Sequence, residues 1–245
     1  MVGAFGQTIG ALVADLPPAS MFPLFDIWRL AILEPTIARA TLTPLVRVLA
    51  STSEAVSSSP HATCLTLLRL ATNALGTSSL SRSLLLPAGA HDARPALTSV
   101  LVQTPLHQDR LLRVAAASLA FNVRAWVQRS RVARIKGEEA ADGIRADEED
   151  GEWEVELVSA VVEVLSGEEE NEDAGELYRF LCSPGDHDHG RREIRSLTES
   201  TFFFDLVHRL TATLAFLIRL SPFYEDQLVP LLSVLRVGDW RDAEG

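Results

Sequence analysis

The 245-residue sequence has two cysteines, one lysine, few aromatic residues and no long uninterrupted apolar run. Two cysteines, Cys64 and Cys182, exclude a disulfide scaffold or a four-cysteine zinc site within this chain, and their scarcity is typical of a reducing compartment. No apolar run approaches the roughly 18 residues of a membrane helix, and the first twenty residues lack the basic start of a secretory signal. We therefore expect a cytoplasmic and/or nuclear protein that has no membrane partner.

Motifs for catalysis are also missing. The sequence has no phosphate-binding glycine motif, no Gly-x-Ser-x-Gly and no His-Glu-x-x-His. The run Asp186-His187-Asp188-His189 is the densest group of metal-ligand types, but four consecutive residues cannot all face one ion, so a solvated loop is the better interpretation. We expect no enzyme, no metal and no cofactor.

The net charge of −11 is unevenly distributed. Residues 138–176 carry 17 acidic residues and one basic residue, and the remaining 206 residues have a net charge of +5. The basic run 124–136 is a candidate for phosphate contacts, but it adjoins the acidic segment and no stacking aromatics interleave its arginines. We expect no nucleic-acid partner and an intramolecular role for the acidic segment, which would lie against this helix.

Apolar residues recur three and four apart, and strand signals are poor. Residues 118–124 resemble residues 213–219, and residues 70–74 carry a third copy, with spacings of 49 and 95. A fourth copy would fall near residues 161–165. A period near 48 is close to the ~40–47 residues of armadillo and HEAT repeats, so the predicted fold is an all-α solenoid.

The domain organisation follows from these segments. We expect a flexible leader at 1–21, one helical-repeat domain at 22–236 and a tail at 237–245. Within the domain we expect an acidic loop at 137–151 and an irregular insert at 167–198. The long helix after Asp109 is expected to break near Gln128.

Two asparagines, Asn73 and Asn122, occupy the same repeat position in mid-helix, where asparagine is unfavourable. They either bind the backbone of an extended peptide or hydrogen-bond between stacked repeats and hold their register, and the sequence leaves both open. Arginines near them would pair with carboxylates of an acidic peptide. The candidate peptide-binding residues are Arg29, Arg69, Asn73, Asn122, Trp126, Arg129, Arg209 and Arg219.

Four segments, taken in order, resemble the PUL domain; they are residues 22–30, 67–73, 117–122 and 208–214. The resemblance spans about residues 22–235. It implies a curved array of about six armadillo-like repeats, whose basic groove binds the acidic C-terminal tail of the AAA+ ATPase valosin-containing protein. By motif, Arg69 with Asn73, Asn122 and Arg209 would be the clamps and anchors. The acidic loop and the long stretch 167–205 depart from the family spacing and would compete with an acidic tail.

The expected function is thus a non-catalytic peptide-binding module that links this ATPase to ubiquitin- or SUMO-dependent protein turnover, with ubiquitin-pathway proteins as further partners. Two alternatives stay open. One is a generic helical-repeat scaffold. The other is an accessory domain of a thioredoxin- or desumoylating-isopeptidase-type protein, since PUL domains also follow such domains in fungal proteins.

Overall fold

The computed structural model describes residues 2–53, 56–86, 93–137, 151–169 and 192–232, and within these ranges the chain is helical and contains no strand. The helices are α1 (Val2–Asp15), α2 (Phe22–Ala31), α3 (Pro35–Ala40), α4 (Leu42–Ser53), α5 (His61–Ala74), α6 (Ser78–Leu85), α7 (Arg94–Gln103), α8 (Arg110–Ile135), α9 (Gly151–Glu169), α10 (Arg192–Ile218) and α11 (Val229–Leu232). Short 3-10 turns precede α2, α5 and α8, and a π-helical turn, Tyr224–Leu228, precedes α11. The fold class is therefore all-α, as the periodicity predicts.

Four helices form one layer, which we call the front layer: α2 packs on α5, α5 on α8, and α8 on α10. Helices α8 and α10 of this layer run parallel. Ser118 of α8 lies beside Arg209 of α10, and Phe121 lies beside Phe216 further along both helices. These pairs are 91 and 95 residues apart, close to the internal repeat spacing of 95. The spacing of the sequence repeat is thus close to the sequence separation of residues that lie side by side on α8 and α10.

A second layer, the back layer, consists of α4, α7 and α9 packed in that order, with α3 and α6 as short connections. The helices alternate between layers along the chain, as expected for helical repeats that stack into one core. The core between the layers is built from the buried faces of these helices and includes Phe25, Trp28, Leu45 and Leu67. The described residues contribute four helices to the front layer, against the six or so repeats that the resemblance implies.

The expected flexible leader is wrong for residues 2–15, which form α1 and pack against α3 and α4. Ile9 and Val13 are buried in the common core, and Gly6 lies against the backbone of Ala40. Apolar residues three and four apart on α1 give it a face to bury, and that burial outweighs the low helix propensity of its glycines.

Three further expectations need correction. Helix α8 is continuous through Gln128, because the residues on both sides of it are buried and the next turn contacts α9 and α10 through Arg131. Residues 161–165 belong to α9 in the back layer, so α8 and α10 are direct neighbours with no repeat copy between them. The insert expected at 167–198 is helical at both ends, in α9 and α10, and residues 170–191 lie outside the described residues.

Helix α8 begins at a side-chain cap, Asp109. Asp109 Oδ1 accepts hydrogen bonds from the backbone N–H of Leu111 at 2.8 Å and of Leu112 at 3.2 Å. Its other oxygen lies 3.2 Å from His61 Nε2 at the start of α5. Partial burial acts to raise the pKa of Asp109, but the hydrogen bonds from these two N–H groups and the nearby His61 outweigh it and lower the pKa. The cap therefore also joins the N-terminal ends of two front-layer helices.

Candidate peptide-binding surface

The solvent-facing side of the front layer is a mixture of apolar, polar and basic residues. Helix α5 is covered on most sides, so only one stripe of its residues reaches solvent, and the same holds for α8. We call this side the front surface; it comprises Ala62, Leu65, Arg69 and Asn73 of α5, Leu111, Ser118, Asn122 and Arg129 of α8, and Arg209 and Arg219 of the α10 region. Every candidate residue named from the sequence lies on or next to a front-layer helix.

Three arginines of the front surface are open to a ligand. Arg69, Arg129 and Arg219 are exposed, and none makes a hydrogen bond or ion pair with the residues that the structure describes. Each comes from a different front-layer helix or its end. A guanidinium presents five N–H donors in a fixed planar arrangement that matches a carboxylate. These three positions are therefore available for acidic groups.

The two asparagines differ in their surroundings. Asn73 Nδ2 donates to the backbone carbonyl of Arg29 at 2.6 Å and so ties α5 to α2. Asn122 is half-buried on α8, and its amide makes no hydrogen bond with any described residue. Of the two roles left open by the sequence, the structural one belongs to Asn73, while the Asn122 amide is available to a peptide backbone.

Two candidate arginines already have partners. The Arg209 guanidinium forms a two-point pair with Asp205, with N–O distances of 2.8 and 2.9 Å, and donates to Ser118 Oγ at 2.6 Å. Arg29 Nε lies 2.7 Å from Asp26 Oδ1, one turn earlier on α2. Both side chains are partly exposed, so they contribute charge to the surface, but three nitrogen atoms of Arg209 and one of Arg29 already donate to protein oxygens.

Trp126 is not part of the surface. Its side chain is 5% exposed and belongs to the core. A peptide cannot reach a ring buried between helices, so the expectation that Trp126 binds a peptide is wrong. Trp126 follows Asn122 by four residues, a spacing that indicates a shared face. Residues four apart differ by about 40° around the helix axis, and this rotation places Trp126 on the buried side of α8.

A buried charge cluster was missed by the sequence reasoning. Arg124 and Arg131 of α8 are 0% and 1% exposed, and both contact the 2%-exposed Glu154 of α9. Arg131 Nη2 lies 2.6 Å from Glu154 Oε2, and the Arg124 guanidinium lies over the Trp153 ring at 5.6 Å from its centroid. Two cations of the basic run therefore face the core, and their partner comes from the acidic segment. The sequence signal for this buried cluster is the seven-residue spacing of Arg124 and Arg131 on a face of α8 that is otherwise apolar.

Groups for catalysis are few in the described part of the chain. Cys64 is buried, and burial raises the pKa of its thiol despite a hydrogen bond to Ser59, so the reactive thiolate is disfavoured. No cluster of three or more potential metal ligands occurs among the residues described. Cys182 and the Asp186–His189 run lie outside them. Over the same ranges, no helix has both the length and the apolar character needed to cross a bilayer.

The fold and the front surface together define a class of protein: an all-α helical-repeat domain with arginines and an open amide on one layer. The particular family follows from comparison, since a family model for the PUL domain matches residues 6–186. The chain belongs to this family, whose members are helical protein-interaction modules and are not known as catalysts. The match begins within α1 and contains three of the four segments that carry the resemblance. No curated protein and no solved structure matches the chain.

Proposed function

We propose that this domain binds the acidic C-terminal tail of an AAA+ ATPase of the valosin-containing-protein type along its front surface. In this role it would link the ATPase to ubiquitin- or SUMO-dependent protein turnover in the cytoplasm and/or nucleus. The observation that carries the proposal is the set of exposed arginines without partners among the described residues, Arg69, Arg129 and Arg219, next to the open amide of Asn122.

The spacing of these groups suits an extended chain. Asn122 and Arg129 are seven residues apart on α8, or about 10 Å along the helix axis, which is the length of roughly three residues of extended peptide. Asn122 can both donate to a peptide carbonyl and accept from a peptide N–H. The arginines on neighbouring helices would then pair with carboxylates on the same peptide.

The strength of such a complex would come from several contacts together: exposed arginine–carboxylate pairs of up to about 1 kcal/mol each, and hydrogen bonds between Asn122 and the peptide backbone. We expect a dissociation constant in the micromolar range, about 8 kcal/mol. Because the pairs are exposed, added salt should weaken the complex.

Calorimetric titration with a peptide of the ATPase tail, at low and high salt, tests the proposal. Arg69→Glu and Arg129→Glu should each weaken binding at least about tenfold, or 1.4 kcal/mol, because each replaces an attraction by a repulsion. The matched control is Arg47→Glu on α4, which is also exposed and without a partner among the described residues, but lies in the back layer.

The controls separate specific binding from general charge attraction. A peptide with amides in place of its acidic side chains should not bind. Equal losses for the Arg47 and Arg69 variants would mean that net charge alone attracts the peptide, and the front surface would be wrong as the site. Absence of binding by the folded wild-type domain would remove the ATPase tail as a partner.

A further inference from the structure

The buried charge cluster lies directly behind the peptide-binding side of α8. Asn122 and Arg129, seven residues apart, are on the solvent side, and we call them the outer stripe. Arg124 and Arg131, also seven residues apart, are buried, and we call them the inner stripe. Each residue of the inner stripe follows one of the outer stripe by two positions, which is about 160° around a helix. The two stripes therefore lie on nearly opposite sides of the same stretch of α8.

A carboxylate on α9 holds the inner stripe in place. Arg131 makes a two-point contact with Glu154, with N–O distances of 2.6 and 3.4 Å, and Arg124 Nη2 lies 3.5 Å from the same carboxylate. The Arg124 guanidinium also lies over the Trp153 ring. A two-point contact between arginine and a carboxylate has a fixed planar geometry. Contacts at two positions seven residues apart therefore fix the rotation of α8 about its own axis, and with it the direction of the outer stripe.

The inner stripe also contacts the end of α10. Arg124 Nη2 and Arg131 Nη1 each donate to the Leu217 carbonyl at 3.4 Å. Leu217 is in the last turn of α10, and Arg219 follows two residues later with an exposed side chain. The guanidinium groups that contact Glu154 therefore also determine where the end of α10, and Arg219 with it, lies relative to the outer stripe.

We propose that Glu154 is a positioning residue for peptide binding, an inference that rests on the proposed function. Its side chain is 2% exposed and does not reach the peptide. It acts through the inner stripe, which orients Arg129 of α8 and Arg219 after α10 toward the same ligand. Arg69 of α5 has no hydrogen bond or ion pair with any described residue, so its position does not depend on the cluster.

The direction of the affinity change in a charge-removing variant tests the proposal. Glu154→Gln removes one negative charge, so charge attraction alone would tighten the binding of an acidic peptide. We expect at least about fivefold weaker binding, because the inner stripe loses the anion that orients it. The matched control is Glu156→Gln, which removes the same charge at an exposed position on α9 and should not weaken binding. Calorimetric titration with the ATPase-tail peptide measures both, at a temperature where circular dichroism shows both variants folded.

A second variant keeps the test decisive where Glu154→Gln does not fold. Glu154→Asp retains the charge but shortens the side chain by one methylene, so its carboxylate cannot keep its distances to both guanidinium groups. It should weaken peptide binding at least about twofold with the net charge of the domain unchanged. Binding as tight as that of the wild type in the folded variants overturns the proposal.

Double substitutions separate positioning from a general loss of stability. Arg129→Glu should reduce affinity by a smaller factor in the Glu154→Gln background than in the wild type, because a misplaced Arg129 has less contact to lose. Arg69→Glu should reduce affinity by the same factor in both backgrounds. A partly unfolded variant would instead leave the effects of both arginine substitutions unchanged, and that result contradicts a positioning role.

Hydrogen exchange without peptide keeps this inference separate from the proposed function. At short labelling times, when amides exchange by local opening, exchange in Glu154→Gln should rise more in residues 123–135 and in the last turn of α10 than in α5. Unchanged exchange in these two segments, or an equal rise in α5, overturns the inference even where the peptide binds. A wild type that does not bind the peptide contradicts the proposed function, and the exchange result then decides alone whether Glu154 orients these segments.

Discussion

At the scale of single residues, two asparagines at equivalent repeat positions have different roles on neighbouring helices. The Asn73 side-chain amide donates a hydrogen bond to the Arg29 carbonyl, at 2.6 Å, and so fixes α5 against α2. The Asn122 amide makes no hydrogen bond with any described residue. An equal sequence position therefore does not imply an equal role.

Substituting the two asparagines should separate these roles. Asn73→Ala should lower the free energy of unfolding by about 1–2 kcal/mol, because a half-buried carbonyl loses its partner. Asn122→Ala should leave stability within about 0.5 kcal/mol of the wild type and weaken binding of the acidic peptide. Urea unfolding and calorimetry measure the two quantities. A large loss of stability in the Asn122 variant, with peptide binding unchanged, would contradict the assignment.

The candidate arginines were identified from the sequence, but their availability was not. The pair Asp205 and Arg209 is visible as a spacing of four on one helix, a separation that favours ion pairs. The contact of Arg209 with Ser118 is not visible, since it joins residues 91 apart in the chain. Arg69 and Arg129 lie on the exposed sides of their helices, whereas Arg124 and Arg131 lie on a buried side. The packing of the layers decides which side is buried.

At the scale of helices, α1 illustrates how packing overrides propensity. It contains three glycines, each unfavourable in a helix interior by about 1 kcal/mol relative to alanine, and this composition favours a loose leader. One of them, Gly6, lies where a Cβ atom would come within 2.5 Å of the Ala40 carbonyl oxygen. The absence of a side chain there allows α1 to approach α3 closely.

Two glycine substitutions test whether α1 is an integral part of the domain. Gly6→Ala should destabilise the fold by about 1–3 kcal/mol through the clash with Ala40. Gly10→Ala, four residues later, meets nothing within 4 Å and should stabilise the helix by up to about 1 kcal/mol. Thermal unfolding of both variants provides the comparison. If both substitutions were stabilising to the same degree, α1 would not pack as described.

At the scale of the whole molecule, a buried charged junction joins the two layers in addition to the apolar core. Arg124 and Arg131 of the front layer contact Glu154 of the back layer, and each also donates to the Leu217 carbonyl at 3.4 Å. Leu217 lies in the last turn of α10, where backbone carbonyls have no partners within the helix and the helix dipole favours cations. Three helices therefore depend on this junction.

Removing the single acid of the junction should be costly. Glu154→Gln should reduce the free energy of unfolding by about 3–5 kcal/mol, because it leaves buried guanidinium groups without their anion. Glu156→Gln, two residues later and exposed on the same helix, should change it by less than about 0.5 kcal/mol. Chemical denaturation of the two variants makes the comparison. Similar stabilities for both would show that the junction does not hold the layers together.

Local patterns determined most of the helices and the repeat spacing of the front layer, because helix formation and repeat spacing depend on residues close together or regularly spaced in the chain. Tertiary structure alone decided that α1 is part of the core, that α8 and α10 are neighbours, that Trp126 is buried and that Asn73 and Asn122 differ. Each of these depends on contacts between residues far apart in sequence. The neighbouring helix determines whether a side chain is buried and which group it pairs with. The sequence of one helix does not identify that neighbour.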